Sequence, residues 1–384
     1  MYLAWREMLF ARSRFLLMGL VLGLMSILIV IISGLTSGLV NDGVSGLKAF
    51  DADVVAFEEG IQTDSAFTRS QINLADADAL AADGAVSEAA PLGLTIANAK
   101  NQDGVPVDLT LIGVLPDSFL APEGLPEMAA PESRKADEAT STPHEVILSN
   151  SFEDDGMKVG DTITLERLNT EFTVTGFTDE QRTFGHVGLA YTPMDVWQEV
   201  HAGARNGEAA RPEAYDVASV VVARTVDKPE VEALSENSGL DVRTLKESFN
   251  SSPGYSAETL TLTMIQWFLY IIAALVTGAF FLVWTIQRAG DIAVMRAMGA
   301  TRGFLMKDSL GQAIVILVVS IFLGVAVATA LGFGLEQSPM PYLMELWPVV
   351  TGAITLFIAG LIGALVAVFR VTRTDPLNAL GENR

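Results

Sequence analysis

The sequence predicts a membrane protein with four transmembrane α-helices and a large extracytoplasmic α+β domain inserted between the first and second helices. Half of the 384 residues are hydrophobic, yet the formal net charge is −22. An ordinary globular domain is not expected to be both so apolar and so acidic. The sequence separates the two properties: four long stretches lack any charged residue or histidine, and 39 of the 46 acidic residues lie between the first two stretches.

The four uncharged stretches are residues 15–40, 260–286, 309–335 and 346–369. About 20 apolar residues at 1.5 Å rise cross a hydrocarbon core, and one charged residue at its centre costs roughly 2.5–3.5 kcal/mol. Each stretch is therefore expected to be a transmembrane helix. A cleaved signal peptide is the alternative for the first stretch, but its apolar run exceeds the roughly 7–15 residues of a signal h-region.

Basic residues in the short flanking segments predict the orientation, because cytoplasmic loops carry an excess of Lys and Arg. Such residues precede the first stretch, follow the fourth, and lie between the second and third, whereas the 336–345 loop has none. We therefore expect residues 1–14, the 287–308 loop and the 370–384 tail to be cytoplasmic. Residues 41–259 and 336–345 are expected outside the cell.

The inserted domain, residues 41–259, carries 39 acidic and 14 basic residues, which indicates a solvated, self-repelling surface. Strand-like runs such as Val107–Val114 alternate irregularly with helical candidates such as Lys228–Glu236, which indicates an α+β fold. The acidity excludes a basic nucleic-acid-binding protein, and the absence of cysteine excludes disulfides and thiolate metal sites. No G-x-S-x-G, H-E-x-x-H or P-loop motif is present.

The 287–308 loop carries a short apolar helical face. Ile292, Met295 and Met298 are three residues apart and so share one face. Gly299 can end this helix in the left-handed conformation, and Thr301 can cap the next one. Flanked by Arg296 and Arg302, such a face suits docking into a groove of a partner protein; a helix resting on the lipid surface is the alternative.

Several segments resemble FtsX/MacB-type ABC transporter permeases. The segment GDIAVMRAMGATRGFLMKDSLGQA (290–313) resembles the family's signature between its second and third helices, with Asp291 where Glu is usual. RVTRTDPLNAL (370–380) resembles the family's C-terminal motif, and KVGDTITLERLNTEFTVTGF (158–177) resembles a hairpin of its extracytoplasmic domain. The order of helices and domain also matches, so the resemblance covers essentially the whole chain.

The resemblance implies that two permease chains pair in the bilayer above two ATPase subunits. Because this chain lacks a P-loop, ATP would be bound and hydrolysed by the partner subunit, and the permease would be neither an enzyme nor the holder of a cofactor. The 287–308 segment would be the coupling helix, and residues 1–14 would form an amphipathic helix on the inner membrane surface. The expected ATPase-coupling residues are Asp291, Ile292, Met295, Arg296, Met298, Gly299, Thr301 and Arg302.

The N-terminal segment and the first helix resemble one subgroup of this family. YLAWREMLFARSRFLLMGL (2–20) and ISGLTSGLV (32–40) resemble the haem-exporting permeases of the HrtB kind and their DevC-like relatives. This implies haem efflux across the plasma membrane, and suggests a Gram-positive host. Export of a lipid, lipopeptide or antibiotic is the nearest alternative. An FtsX-like protein that transmits motion to an outer enzyme is a second, and a membrane-anchored enzyme is the least favoured.

The candidate haem contacts lie near the expected outer ends of the first two helices. Gly34 and Gly38 form a GxxxG motif that permits close contact, although ordinary helix packing explains them equally well. Iron needs an axial ligand, and Glu58 or Glu59 is the first choice, on the expectation that both continue an extended strand with side chains on opposite faces. A solvated strand end is the alternative. The other candidate haem contacts are Phe57, Tyr255, Met264, Trp267 and Phe268, and among these Tyr255 and Met264 are the remaining candidates for the iron ligand. Trp267 also suits an interfacial aromatic belt.

Overall fold

A computed structural model describes residues 12–127, 144–206, 208, 210–287, 298–338 and 340–372. The chain divides into two compact units. The helical unit comprises residues up to 39 and from 259 onward, and the inserted domain comprises residues 40–258. Residues 1–11, most of the expected amphipathic helix, lie outside the described residues, and residues 12–14 already belong to the first long helix.

Helices and strands of the described residues are numbered here in chain order. The helices are α1 (Arg12–Lys48), α2 (Ala66–Arg69), α3 (Leu74–Ala81), α4 (Asn150–Asp154), α5 (Met194–His201), α6 (Val231–Ser238), α7 (Leu245–Ser248), α8 (Tyr255–Gln287), α9 (Arg302–Leu335) and α10 (Leu346–Thr372). The strands are β1 (Val54–Phe57), β2 (Ile72–Asn73), β3 (Val86–Asn101), β4 (Pro106–Val114), β5 (His144–Leu148), β6 (Thr162–Leu165), β7 (Glu171–Phe177), β8 (Thr183–Phe184), β9 (Val187–Pro193), β10 (Val217–Ala218), β11 (Val220–Thr225) and β12 (Asp241–Thr244).

Four helices, α1, α8, α9 and α10, are long and apolar enough to cross a membrane. They extend beyond the uncharged stretches because a helix does not end where its apolar face ends. Thus α8 begins five residues before residue 260, and residues 302–308 of the predicted coupling loop already belong to α9. In their shared core Phe15 packs edge-to-face on Trp284 at 4.7 Å between ring centroids, and Leu317 and Leu356 are fully buried.

The α8 and α10 backbones touch at two glycines. A Cβ at Gly363 would clash with the carbonyl of Ala274, and a Cβ at Gly278 would lie 3.1 Å from the carbonyl oxygen of Gly363. Only hydrogen at Cα permits this approach, which is the usual role of small residues between membrane helices. The pair therefore fixes the crossing of α8 and α10.

The inserted domain is built on one mixed sheet. Strands β3, β4, β9, β5, β7 and β6 pair in that order, and β6 pairs again with the end of β3, so these six strands close a ring. Strands β11, β1 and β12 extend the sheet from the first half of β3. The pairs β4–β9 and β5–β7 are parallel and the others antiparallel, which agrees with the predicted α+β class.

One tryptophan fixes helix α5 on this sheet. Gly93 of β3 and Gly113 of β4 are direct cross-strand partners, and a Cβ at either would clash with the side chain of Trp197. The indole is fully buried and donates from Nε1 to Thr95 Oγ1 at 3.0 Å. The two glycines thus leave space for the indole on the sheet, which a side chain at either position would displace.

Two local features differ from the sequence-based expectation. The helix predicted at Lys228–Glu236 begins three residues later, as α6, and ends at Gly239, which has a left-handed φ of 69°. Pro229 lies within the predicted first turn, and the helix starts only after it. Helix α1 is interrupted at Val44, where φ is −146° and ψ is 16°, a break that hydropathy alone does not reveal.

Candidate functional site

The start of α9 follows the predicted capping chemistry. Thr301 has an extended conformation, and its side chain accepts a hydrogen bond from the backbone N–H of Phe304 at 3.3 Å. Gly299 has a φ of 98°, and Met298 is 77 % exposed. Asp291, Ile292, Met295 and Arg296 lie outside the described residues, as does the side chain of Arg302. The described part of this segment thus carries one exposed apolar side chain directly before a capped helix.

A buried polar relay joins α8 to α9 about two to three turns beyond that cap. Trp284 Nε1 donates to Gln312 Oε1 at 3.3 Å, and Gln312 Nε2 donates to Asp308 Oδ2 at 3.3 Å. Gln312 is fully buried. An unpaired amide or indole N–H in this setting is costly, so the relay keeps α8 and the first turns of α9 in register. None of the three residues was among the predicted coupling residues.

The glycines of the predicted GxxxG motif pack against the 336–345 loop of the same chain. A Cβ at Gly34 would clash with the Tyr342 ring, and a Cβ at Gly38 would clash with Pro341. The backbone N–H of Leu343 donates to the carbonyl of Gly34 at 3.1 Å. This is the packing alternative for both glycines, with a loop rather than a helix as their neighbour.

The predicted residues of α8 form an exposed apolar face. Met264 is 50 % exposed, Trp267 59 % and Phe268 62 %. Trp267 packs edge-to-face on Tyr270 with ring centroids 6.0 Å apart. On another side of α8, Gln266 Nε2 donates to Thr36 Oγ1 of α1 at 3.4 Å. The exposed face therefore offers flat aromatic surface to lipid, to a second chain or to an apolar ligand.

The two candidate carboxylates do not lie in a strand, which corrects the geometric expectation. Strand β1 ends at Phe57, and Glu58 and Glu59 enter a turn that Gly60 completes with a φ of 75°. Both side chains are exposed, and Glu58 Oε2 accepts the N–H of Gln71 at 3.3 Å. Phe57 is fully buried and packs edge-to-face on Phe67, so its ring stabilises the domain core.

The structure brings together a cluster that sequence reasoning missed. His186 Nδ1 lies 2.9 Å from Asp42 Oδ2, and His186 Nε2 lies 3.0 Å from Glu258 Oε2. The predicted contact Tyr255 lies nearby, within 3.8 Å of an ideal Cβ on Gly43 and edge-to-face with Phe249. All of these residues belong to the inserted domain. None of His186, Asp42 and Glu258 was among the residues predicted from the sequence.

Separation along the chain explains the omission. His186 is 144 residues from Asp42 and 72 from Glu258, and no periodicity connects such positions. The only local signal is the Gly185–His186 dipeptide, because glycine in the first central position is typical of a two-residue hairpin turn. Within the described residues, no group of three His, Asp or Glu side chains is arranged to hold a metal ion.

Two protein-family models match the chain. The model described as MacB-like periplasmic core domain matches residues 15–237, and the model described as FtsX-like permease C-terminal matches residues 263–376. The first alone covers more than half of the chain.

Similar proteins span the full length. A protein of Staphylococcus haemolyticus named putative hemin transport system permease protein HrtB is 25 % identical over 383 residues, which is 99 % of each chain. A protein of the same name from Staphylococcus epidermidis is 23 % identical over 391 residues, again covering 99 % of each chain.

Solved structures are similar to about half of the chain. The extracellular domain of the noncanonic ABC-type transporter YknZ from Gram-positive bacteria is 12 % identical, with a TM-score of 0.31, and the match covers 50 % of this chain and 98 % of that one. The periplasmic region of MacB from Actinobacillus actinomycetemcomitans is 15 % identical, with a TM-score of 0.31, over 51 % of this chain and 90 % of that one.

Proposed function

Because this chain belongs to the family of ABC-type permeases with a MacB-like core domain and an FtsX-like C-terminal region, we propose that it is the permease subunit of a haem-efflux transporter. The observation that carries the proposal is the similarity, over 99 % of both chains, to proteins named as hemin transport permeases. A homodimer of this chain in the plasma membrane, with two ATPase subunits, is part of the proposal.

The chemistry of haem suits the exposed face of α8. Haem is a flat and largely apolar ring that partitions into a bilayer, so a permease can collect it sideways from the lipid. Met264, Trp267 and Phe268 offer adjacent apolar side chains at that face, and an aromatic contact contributes about 0.5–1.5 kcal/mol beyond simple burial. Loss of one ring should therefore weaken haemin binding about two- to tenfold.

An axial ligand to the iron must come from oxygen, sulfur or nitrogen. Cysteine is absent, and we propose an exposed carboxylate, Glu58 or Glu59, as the ligand, with Tyr255 and Met264 as the remaining candidates. A carboxylate favours ferric iron and a bond weak enough to release the cargo. In a turn, unlike in a strand, the two carboxylates are not forced onto opposite faces, so either one is able to serve.

Energy would reach the chain from a separate ATPase through the segment around residues 287–308. In this proposal the segment and both termini are cytoplasmic, and the inserted domain is extracellular. The exposed Met298 and the capped start of α9 support a docking role for the segment, and the Trp284–Gln312–Asp308 relay would keep α8 and α9 moving together.

The test is absorption spectroscopy of the full chain, purified with its ATPase and titrated with haemin. We expect a saturable Soret band that shifts in Glu58→Gln or Glu59→Gln and keeps its position in Glu123→Gln, an exposed acidic control in another turn. Weaker binding is expected in Trp267→Ala and Phe268→Ala, but not in Phe322→Ala, a similarly exposed ring on α9. Absence of saturable binding would reject haem and favour a lipid, lipopeptide or antibiotic cargo.

A further inference from the structure

The turn between β8 and β9 contacts both chain segments by which the polypeptide enters and leaves the inserted domain. The entering segment is the end of α1, which is interrupted at Val44. The leaving segment is residues 252–258, up to the first turn of α8. Both segments and the turn belong to the same compact unit.

Backbone groups beside the break in α1 form hydrogen bonds with β8, with the turn after it and with Ser252. The carbonyl of Gly43 accepts hydrogen bonds from the N–H of Gly185 at 2.9 Å and from Ser252 Oγ at 3.1 Å. The N–H of Thr183 donates to Ser45 Oγ at 2.8 Å, and Thr183 Oγ1 donates to the carbonyl of Asp42. Buried backbone groups need partners, so the turn replaces bonds that the helix lacks at its break.

His186 adds an electrostatic contact between the two segments, because its ring lies between a carboxylate of each. Its backbone has a φ of 65°, beside Gly185 at 56°, and this conformation places the ring between Asp42 Oδ2 and Glu258 Oε2 at 2.9 and 3.0 Å. A neutral imidazole has one donor and one acceptor, so it satisfies only one carboxylate, whereas an imidazolium donates to both. The geometry itself thus selects the protonated ring.

We propose that residues 183–186, which comprise β8 and the turn after it, are a latch that holds the interrupted end of α1 and the start of α8 together, with His186 as the positioning residue that bridges Asp42 and Glu258. The latch links these segments to the sheet, because β9 continues from the turn and pairs with β4 and β5. The proposal is independent of the cargo.

The latch should be strongest at acidic pH. Burial alone lowers the pKa of His186, but the hydrogen bonds and charges of Asp42 and Glu258 outweigh it and raise the pKa above its usual value. The charged groups that act on the ring are these two carboxylates; Gln181, which donates to Asp42 Oδ1 at 3.1 Å, is neutral, and the Arg182 guanidinium donates to Tyr191. A raised histidine pKa stabilises the folded contact below about pH 6.5, and this stabilisation is lost as pH rises through the raised value.

Hydrogen exchange of the full chain in nanodiscs tests the proposal without cargo or ATPase. Between about pH 5.5 and about pH 8.5, after correction for intrinsic rates, we expect protection of the Gly185 and Thr183 amides to fall on the order of tenfold, because the neutral ring no longer donates to both carboxylates and a hydrogen bond between charged groups is worth about that much. His186→Asn tolerates the left-handed conformation but cannot carry charge, and should show low, pH-independent protection. His186→Arg keeps a permanent charge and should retain protection at high pH.

His201→Asn is the matched control, since His201 is another histidine of the same domain, burial lowers its pKa and its ring stacks on Trp197. It should keep the pH dependence of the native chain. The same pH dependence in His186→Asn, or high protection in His186→Asn at both pH values, would overturn the proposal.

A second measurement covers the case of a variant with altered folding. The chain has no native cysteine, so spin labels react only with the cysteines introduced by Ala49→Cys and Ser256→Cys. Both are exposed positions of the inserted domain. The interlabel distance distribution should be narrow at acidic pH and broaden in His186→Asn. An unchanged distribution in that variant would show that His186 does not hold the two segments.

Discussion

Replacing Gly38 with alanine tests the packing of α1 against the 336–345 loop. A Cβ at this position would clash with the carbonyl of Pro341 and lie 2.7 Å from Tyr342 Cα. Both neighbours are backbone atoms, so no side-chain rotation relieves the clash and the loop must move. The buried side chain of Tyr342 would then lose its packing against α1.

The magnitude follows from a matched control. Overpacking of this kind costs about 1–3 kcal/mol, whereas glycine to alanine within a helix gains about 0.5–1 kcal/mol. Gly334→Ala, in the exposed last turn of α9, has no atom within 4 Å of the new Cβ. The propensity gain is common to both variants and cancels, so Gly38→Ala should be less stable than Gly334→Ala by about 1–3 kcal/mol.

The assay is unfolding of the purified chain in mixed detergent micelles by increasing amounts of a denaturing detergent. The five tryptophans supply the fluorescence signal. Equal free energies of unfolding for the two variants would refute the close contact of Gly38 with the loop. The GxxxG motif would then be interpreted as a contact with another chain or a ligand.

Two further perturbations have definite expected outcomes. Gln312→Leu removes the acceptor of the Trp284 indole and the donor to Asp308, so the free energy of unfolding should fall by about 0.5–2 kcal/mol; an unchanged value would mean that the relay does not stabilise the unit. Thr301→Ala should lower helix stability at the start of α9 by about 1 kcal/mol, while Thr301→Ser should retain it, as measured by amide exchange of residues 303–305; equal exchange in both variants would contradict the cap.

Hydropathy and local chemistry carried much of the fold prediction. The absence of ionisable residues located α1, α8, α9 and α10, and the side-chain oxygen of Thr301 indicated its capping role. The last residues of α1 (41–48) and the first residues of α8 (255–259) were not predicted as helix, because they are polar and hydropathy does not distinguish a polar helix from a loop. Hydropathy does not reveal the break at Val44, and the groups that stabilise it lie far along the chain, near residues 183 and 252.

In the candidate site, too, features within one segment could be predicted, whereas contacts between distant segments could not. The exposed face containing Trp267 and Phe268 follows from helical spacing within one segment. The Glu58–Glu59 turn was mistaken for strand because the preceding Val54–Phe57 run is strand-like, and only Gly60 signals the turn. The contacts of Gly34 with Tyr342, and of His186 with Asp42, join distant parts of the sequence, and a single sequence does not indicate such pairs.

The most direct test of the proposed function is ATP-driven removal of haem from proteoliposomes that contain the full chain and its ATPase. We expect haemin dissolved in the bilayer to transfer to an external haem-binding protein only when ATP is supplied and hydrolysed, and the transfer to stop when the ATPase is omitted. Transfer that is equally fast without ATP or without the ATPase would contradict the account, as would ATP hydrolysis that leaves haemin in the membrane.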